Sequence, residues 1–553
     1  MSKVKIRPYC SPTLVLLAFD WPDGDRRDFL GFAIQRSPGY RKPDGTEETE
    51  SWLPNRVGFD GPEQGRDFPS DTCPIQKFQW WDARIDDPDR GREFTYRVWP
   101  VVGTPESLHR VAEAEGRLTV TIPRTEERGI ATFFNRAVVS SQAFSSRFGD
   151  DLSEDDLPKA LGWLANGLET TIPSFLADNA RTDGAIYHLT DKVWVVPTLR
   201  KVGGEISLVF NQTKKDDANA SVVEEIGERG GFTLTPRTRA KIMHNKFLVR
   251  REAGKPVAVL TGSANFTTEG LTTQANVLHI FRSPKLARIY LERKELLEED
   301  PTIGATAKEA GWSERVRVGD AKVSVFFPPE PKGTRESLDR VVRAVKRAKR
   351  SVLFCLFSPT DKELRDACFE AGDRGRMMFG VVNTISEREP EGEARDPAAE
   401  AKVELYHRSR RNRDVFAHSL FAEQTSPEGF WFETRTLPGR GGKFPVFIHH
   451  KFVVVDAETD EPTIFTGSAN MSKSSLYNND ENLLEITESP RLARMYLAEF
   501  MRLYEHYRAR AIWKRYMEGR VRTFKLRPDS SWTGRAYTRG TPEFRSRVSM
   551  VGG

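Results

Sequence analysis

Apolar positions in the first 122 residues come in short alternating bursts, at 13–19, 29–35, 94–101 and 117–122. Turn-rich stretches such as Pro22-Asp-Gly-Asp and Asp86-Asp-Pro-Asp-Arg-Gly separate them. Period-two alternation interrupted by turns predicts a small β-sandwich over residues 1–122. The period then lengthens. Ser153 offers an N-cap, and Leu157, Leu161, Leu164 and Leu168 follow at helical spacing, so 123–183 reads as a helical connector. Strand-like runs at 192–197 and 206–210 open a further unit, 184–315. In the unit after it, 316–510, Leu338, Val341, Val342, Val345 and Ala348 share one helical face, and a buried strand at 351–357 follows. The stretch 387–400 is charged, contains Pro390 and Pro397, and reads as a loop excursion. Residues 511–553 form a basic, aromatic C-terminal segment.

Within the sandwich, Phe94-Thr-Tyr-Arg-Val-Trp-Pro-Val resembles the late strand of fibronectin type III and immunoglobulin-like domains. Trp80, Trp81 and Trp99 are expected as its core residues. Such a module would suit protein docking or self-association.

The two middle units are copies of each other. His244-Asn-Lys246 is followed 18 residues later by Gly262-Ser263-Ala264-Asn265. His449-His-Lys451 is followed, again 18 residues later, by Gly467-Ser468-Ala469-Asn470. The offset between copies is 205 residues. Both copies end alike, on Ser283-Pro-Lys-Leu-Ala-Arg-Ile-Tyr and Ser489-Pro-Arg-Leu-Ala-Arg-Met-Tyr. A repeat of this length marks a duplicated unit.

Each copy carries a titratable imidazole, a fixed cation and a carboxamide. Histidine can attack phosphorus or protonate a leaving oxygen because its pKa lies near neutrality. Lysines and asparagine amides supply charge and hydrogen bonds where negative charge gathers in the transition state. On a strand, His and Lys two residues apart share a face, which leaves His450 on the opposite one. The Gly-Ser-Ala-Asn turn brings backbone amides and the Asn side chain close to a phosphate. The remaining histidines, His109, His188, His279, His407, His418 and His506, form no cluster in the sequence and read as structural or surface residues.

These motifs resemble those of the phospholipase D superfamily, His-x-Lys-x4-Asp followed by Gly-Ser-x-Asn. His449, Lys451, Asp456, Gly467, Ser468 and Asn470 match in full; the first copy has Arg251 at the Asp position. The resemblance covers roughly residues 184–510. It implies a duplicated α/β fold of mixed sheets flanked by helices, placed after the N-terminal sandwich in a multidomain chain. It also implies catalysis by His244, Lys246, Asn265, His449, Lys451 and Asn470, with Ser263 and Ser468 beside the substrate. No metal and no cofactor is implied. Family members place an acidic residue past the turn, bonded to the histidine of the opposite half. Glu481 takes that place for His244, making His244 the nucleophile. A one-residue gap puts Ala275 at the equivalent first-half position, with Gln274 beside it, so neutral Gln274 would face His449, the general acid. That asymmetry resembles the tyrosyl-DNA phosphodiesterase branch.

Composition sharpens the substrate. Residues 501–553 hold 13 Lys/Arg against 4 Asp/Glu, a net +9 within a chain of net +5. Trp513, Lys514 and Arg515 lead an alternation of cations and aromatics suited to a flexible nucleic acid. A final amphipathic helix with its aromatics packed inward explains the same pattern. Arg408 to Arg413 is a further basic run upstream of the second motif. The N-terminus lacks the apolar stretch of a secretory signal, no apolar run reaches membrane-spanning length, and Cys10, Cys73, Cys355 and Cys368 lack metal-ligand spacing, so a cytoplasmic protein without a membrane anchor is expected. The sequence therefore points to a metal-independent phosphodiesterase working through a phosphohistidine, a nuclease or DNA/RNA-end-processing enzyme. The alternatives are a phospholipid hydrolase of phospholipase D type and a catalytically silent protein that binds phosphate or nucleic acid.

Overall fold

The computed structural model describes residues 2–552 except 43, 56, 62–66, 138–143, 145, 146, 149–151, 178–180, 215, 228, 229, 386–400, 418–446 and 521–524. The charged excursion at 387–400, His418, and Arg522 and Phe524 of the basic segment therefore lie outside the described residues.

The N-terminal strands form two antiparallel sheets. Lys5–Ser11, Leu14–Asp20 and Gln79–Asp82 make one; Gly116–Thr121, Glu93–Thr104, Phe29–Ser37 and Ser51–Trp52 make the other, with Ser107–Arg110 also paired to Glu93–Thr104. Alternation decides which side chains meet between them. Val15, Leu17 and Phe19 share a core with Phe29, Phe32, Ile34, Phe94, Tyr96 and Val98. The intervening Leu14, Leu16 and Ala18 point the other way, into the large core of the rest of the molecule. Every residue of Leu14–Asp20 is consequently buried. Trp99 is buried on the outer face of its sheet against Trp52, while Trp80 and Trp81 are half-buried and stacked, with centroids 5.3 Å apart.

The second face of this module is covered by the C-terminal helices. Ser11 and Thr13 donate their hydroxyls to Glu499 of the helix Pro490–Met517, and Tyr9 donates to the carbonyl of Met550 in the helix Pro542–Val551 at 2.6 Å. Residues 529–552 fold into a short 3-10 turn at Ser530–Thr533 and the helix Pro542–Val551. Trp532 donates its indole N–H to the Phe29 carbonyl at 2.7 Å and stacks on Phe78. A tail whose few apolar groups complete a distant core carries no local periodicity to announce it.

The two α/β units each build a mixed sheet with the motif hairpin at its centre. The first runs Glu126–Glu127, Ile130–Phe134, Val277–Phe281, Lys255–Gly262, Lys246–Glu252, Arg181–Ile186, Ile206–Asn211, Phe232–Arg237. The second runs Val316–Val318, Ala321–Phe326, Leu483–Thr487, Thr463–Gly467, Lys451–Val455, Ser351–Phe357, Met377–Ile385, Ala401–His407, Ser409–Ala417. Two features depart from the sequence reading. The segment read as a helical connector does contain the helices Leu157–Ala165 and Leu168–Ala177, yet its strands at Glu126–Glu127 and Ile130–Phe134 belong to the first sheet. The run at 192–197, read as a strand, leads into the helix Val195–Leu199, because the Asp191 carboxylate accepts the backbone N–H of Trp194 and Val195, both at 2.8 Å, and so starts a turn. Among the described residues, no helix is long and apolar enough to cross a membrane.

The halves join edge to edge at the motifs. Ile242–Met243 pairs in parallel with Asn479–Asp480, and Ala275 forms the matching parallel bridge to Ile448.

Candidate active site

Each motif lysine begins a central strand and is held by its own histidine. The Lys246 ammonium donates to the His244 carbonyl at 2.6 Å, and Lys451 to the His449 carbonyl at 2.8 Å. Both lysines are fully buried, and the two histidines are nearly so, at 6% and 5% exposure. His450 turns to the opposite face, between Phe134 and Phe452.

The glycine of each turn is required by close approach. A Cβ on Gly262 would sit 2.2 Å from the Val277 carbonyl oxygen, and one on Gly467, where φ is +139°, 2.5 Å from that of Asn482. The serines that follow are fully buried. Ser468 Oγ donates to Glu481 Oε2 at 2.9 Å, and Ser263 Oγ donates to Asn276 Oδ1 at 2.8 Å. They brace the groups behind the histidines. Asn265 and Asn470 stand half-buried at the turn ends, each with a buried carboxamide oxygen that lacks a hydrogen-bond partner.

The imidazoles are backed across the interface. His244 Nδ1 lies 2.7 Å from Glu481 Oε2. Glu481 Oε1 also accepts from Ser475 Oγ at 2.9 Å and Asn479 Nδ2 at 3.2 Å. Behind His449 stands Asn276, with its Oδ1 3.0 Å from Nδ1 of the ring. Gln274 is not there: its Oε1 is buried without a partner, and only its backbone carbonyl joins the network, accepting from Asn276. The offset of 205 that links the motifs also links Asn276 to Glu481. The gap belongs after these residues, not before them.

This wiring sets the protons. A carboxylate only accepts, so Nδ1 of His244 carries the hydrogen and Nε2 keeps its lone pair. Asn276 donates its amide N–H groups to the carbonyls of Gly270 and Gln274, which aims its oxygen at His449 and fixes the same tautomer there. Burial pushes His244 down to about 4 against the opposing pull of Glu481. Burial, with Lys451, Lys246 and His244 nearby, holds His449 well below the usual histidine value. For Glu481 burial works upward, but His244, Lys246 and Ser468 outweigh it and keep the carboxyl ionised. Burial lowers Lys246 to about 7 and Lys451 well below the usual amine value, and an oxyanion between them would restore both charges.

An aromatic ring flanks each pair. Tyr187 and Phe357 each follow the strand residue that pairs with a motif lysine, Ile186 with Lys246 and Leu356 with Lys451. Their centroids lie 5.0 Å from His244 and 5.1 Å from His449, with the ammonium groups 5.1 and 5.2 Å away. Both residues are half-buried, whereas the histidines and lysines are buried. Nothing in the motif spacing announced them.

The other expected residues lie elsewhere. Asp456 accepts backbone N–H bonds from Lys349, Arg350 and Ser351 at 2.7 to 3.1 Å and so closes the start of the strand Ser351–Phe357. Arg251, in the equivalent place, donates to the Gly254 carbonyl and lies 3.6 Å from Asp183. Trp513, Lys514 and Arg515 are on the last turns of the helix Pro490–Met517, outside the catalytic cluster. Arg515 pairs with Asp414 at 2.7 Å, Lys514 with Glu518 at 3.3 Å, and Trp513 packs against the core. Among the described residues, no group of three or more His, Cys, Asp or Glu is placed to hold a metal.

The family model for the cardiolipin synthase, PLD-like domain matches residues 341–504, which contain the whole second motif. Over that stretch the chain carries a phospholipase D-like domain. Two similar proteins are mitochondrial cardiolipin hydrolases. The human protein is 40% identical over 63 residues, 11% of this chain and 23% of its own length. The mouse protein is 25% identical over 188 residues, 33% of this chain and 67% of its own. The chain thus spans under a quarter of the human relative. Similar solved structures include phosphatidylserine synthase of Haemophilus influenzae, at 13% identity over 62% of this chain and 85% of that one, with a TM-score of 0.40. Yeast tyrosyl-DNA phosphodiesterase is 12% identical over 58% of this chain and 88% of that one, with a TM-score of 0.32.

Proposed function

We propose that the protein is a metal-independent phosphodiesterase that cleaves nucleic acid, or processes its ends, through a covalent phosphohistidine. The observation that carries this is the unequal backing of two converging imidazoles, a carboxylate behind His244 and an amide behind His449. Glu481 sharpens the nucleophilicity of His244 Nε2, which attacks phosphorus. The P–O bond to the leaving group breaks as His449, protonated once the anionic substrate is bound, gives that oxygen its proton. Neutral His449 then takes a proton from water, whose oxygen displaces His244. Lys246, Lys451, Asn265 and Asn470 hold the phosphoryl oxygens throughout.

Nucleic acid is favoured by the partly buried aromatic groups beside the two motif pairs, Phe357 next to His449 and Tyr187, itself stacked on His188, next to His244. Among the described residues, only Tyr516 and Met517 are large apolar side chains left exposed. The C-terminal basic stretch contributes less than its composition suggested, since Arg508, Lys514 and Arg515 are paired with acids. The second reading, phospholipid hydrolysis, draws on the cardiolipin synthase family model and the cardiolipin hydrolase relatives. The cytoplasmic setting rests on four free cysteines; cell fractionation tests it. Kinship of the N-terminal sheets to fibronectin type III or immunoglobulin-like domains, and their use in protein docking or self-association, is part of the same proposal; light scattering on the full chain tests self-association.

The deciding experiment runs fluorescent oligonucleotides beside phosphatidylcholine and cardiolipin vesicles in EDTA, with His244→Asn and His449→Asn controls. Oligonucleotide cleavage that needs both histidines is expected. Turnover of lipid alone would select the second reading, and turnover that survives loss of His244 would overturn the mechanism.

A further inference from the structure

The strongest cluster of buried charge outside the motifs lies one residue from Glu481. Asp480 is fully buried between two arginines of the first half. Arg237 Nε donates to Asp480 Oδ2 at 2.8 Å, while its other nitrogens are tied to Asp300, the Pro301 carbonyl and Thr306. The guanidinium of Arg293 lies 3.7 Å from Asp480 Oδ1 and donates to the Pro328 carbonyl at 2.8 Å. That same carbonyl accepts the backbone N–H of Glu481 at 3.2 Å. The Asp480 carbonyl, in turn, accepts the backbone N–H of His244 at 2.8 Å.

Resting on the phosphodiesterase reading above, the structure assigns Arg237, Arg293 and Asp480 as a clamp of positioning residues that sets Glu481 against His244. First-half arginines grip the second-half segment whose carboxylate orients the first-half imidazole, so the loop of contacts closes across the interface. Two of its three positions hold unlike residues in the other copy. The position 205 residues before Asp480 is Ala275, and the position 206 residues after Arg293 is Glu499, which is engaged by Ser11 and Thr13 instead. At these two positions the copies differ, so the Arg293–Asp480 pair is not repeated there. An Arg–Asp–Arg set taken out of water gains little net stability, which leaves geometry as what it supplies.

Electrostatics separates positioning from mere support. The charged and titratable groups facing His244 are Glu481, Lys246, Lys451, His449 and Tyr187, whose ring lies 5.0 Å away, and Asp480 with its two arginines forms the next layer. Asp480→Asn removes a negative charge and leaves two guanidinium groups in excess, so the His244 midpoint moves down. Arg293→Gln removes a positive charge while the Arg237 bond keeps Asp480 in place, so the midpoint moves up.

The test is histidine-labelled NMR titration of the full chain, with the His244 signal identified by its loss in His244→Asn. Folding of each variant is checked by circular dichroism. Displacements of opposite sign, each about half a pH unit or more, are expected. In parallel, kcat on a diester that the wild type cleaves should fall by roughly 10- to 100-fold in Asp480→Asn, with KM changed by less than about threefold. A His244 midpoint unmoved in folded Arg293→Gln overturns the assignment, whatever happens to Asp480→Asn. The titration needs no turnover, so an inactive wild type would sink the proposed function and leave this inference to be decided by its own readout.

Discussion

Glu481 Oε2 and His244 Nδ1, 237 residues apart in sequence and 2.7 Å apart in space, join the two halves of the chain into one site. Removing the charge while keeping the shape, as in Glu481→Gln, should lower kcat by roughly 10- to 100-fold. Phosphohistidine trapped by acid quench should fall in step. Full activity in folded Glu481→Gln would mean that His244 needs no carboxylate.

Asn276 gives the converse case. Asn276→Ala frees the His449 ring and leaves Ser263 Oγ without its acceptor, so breakdown of the intermediate should slow by about tenfold or more. Gln274→Ala, which touches neither group through its side chain, should stay within about twofold of wild type, near the RT ln 2 that separates ordinary surface changes. Pre-steady-state kinetics distinguishes the two steps. The reverse ranking of these variants would restore Gln274 to the site.

That pair also shows what the sequence could and could not tell. His244, Lys246, His449 and Lys451 were legible because strand alternation and an 18-residue hairpin are local. Asn276 was missed because one extra residue separates the later Ser-Pro landmarks. The strand registers keep the 205 offset through Gly262–Leu278 against Gly467–Leu483, and on to Phe281 against Ile486. The extra residue is taken up just before the helix, where Glu488 adopts a φ of +62°. Trp532 against Phe29 was illegible for another reason: a contact spanning 503 residues leaves no trace in local periodicity.

Asp456 is a structural acceptor for three backbone N–H groups at the head of Ser351–Phe357. Asp456→Ala strands those donors in a largely buried turn, at about 1–3 kcal/mol. Urea unfolding should show that loss as a lower midpoint with an unchanged slope. Arg251→Ala, where the side chain closes a hairpin onto the Gly254 carbonyl and stands 3.6 Å from Asp183, which keeps Arg181 and Lys294 as partners, should cost under about 1 kcal/mol. Equal losses in the two variants would contradict this division of labour.

Stability should fall as the medium becomes mildly acidic. Burial drives His244 and His407 to about 4 and His279 to about 3, and holds His449 and His450 well below 6.5. Between pH 6.5 and about 4 the unfolded chain therefore binds protons that the folded chain refuses. Stability is retained above the unfolded value and is lost as pH falls through that window, levelling off once the folded groups titrate. A drop of up to about 6 kcal/mol between pH 7 and 5.5, roughly 1.2 for each imidazole, is expected from urea midpoints. A flat profile there would mean that these imidazoles are already charged in the fold.

Anion binding should take up protons. Burial lowers Lys246 to about 7 and Lys451 well below its usual value, each against the opposing charge of Glu481. At pH 8 the resting site therefore holds at least one neutral amine, and a tetrahedral oxyanion placed between the lysines favours the ammonium form of both. Linkage makes the converse hold, so vanadate or inorganic phosphate should bind more tightly as pH falls from 8.5 to 7.5, by up to about tenfold per proton taken up. Calorimetry in Tris and in HEPES separates the proton term, because the two buffers release their protons with different heats. An uptake of about one proton per anion is expected in the wild type, with less in Lys246→Met. Heats that agree between the buffers in the wild type would show that both lysines rest charged, and the site would then hold its cations ready before any substrate arrives.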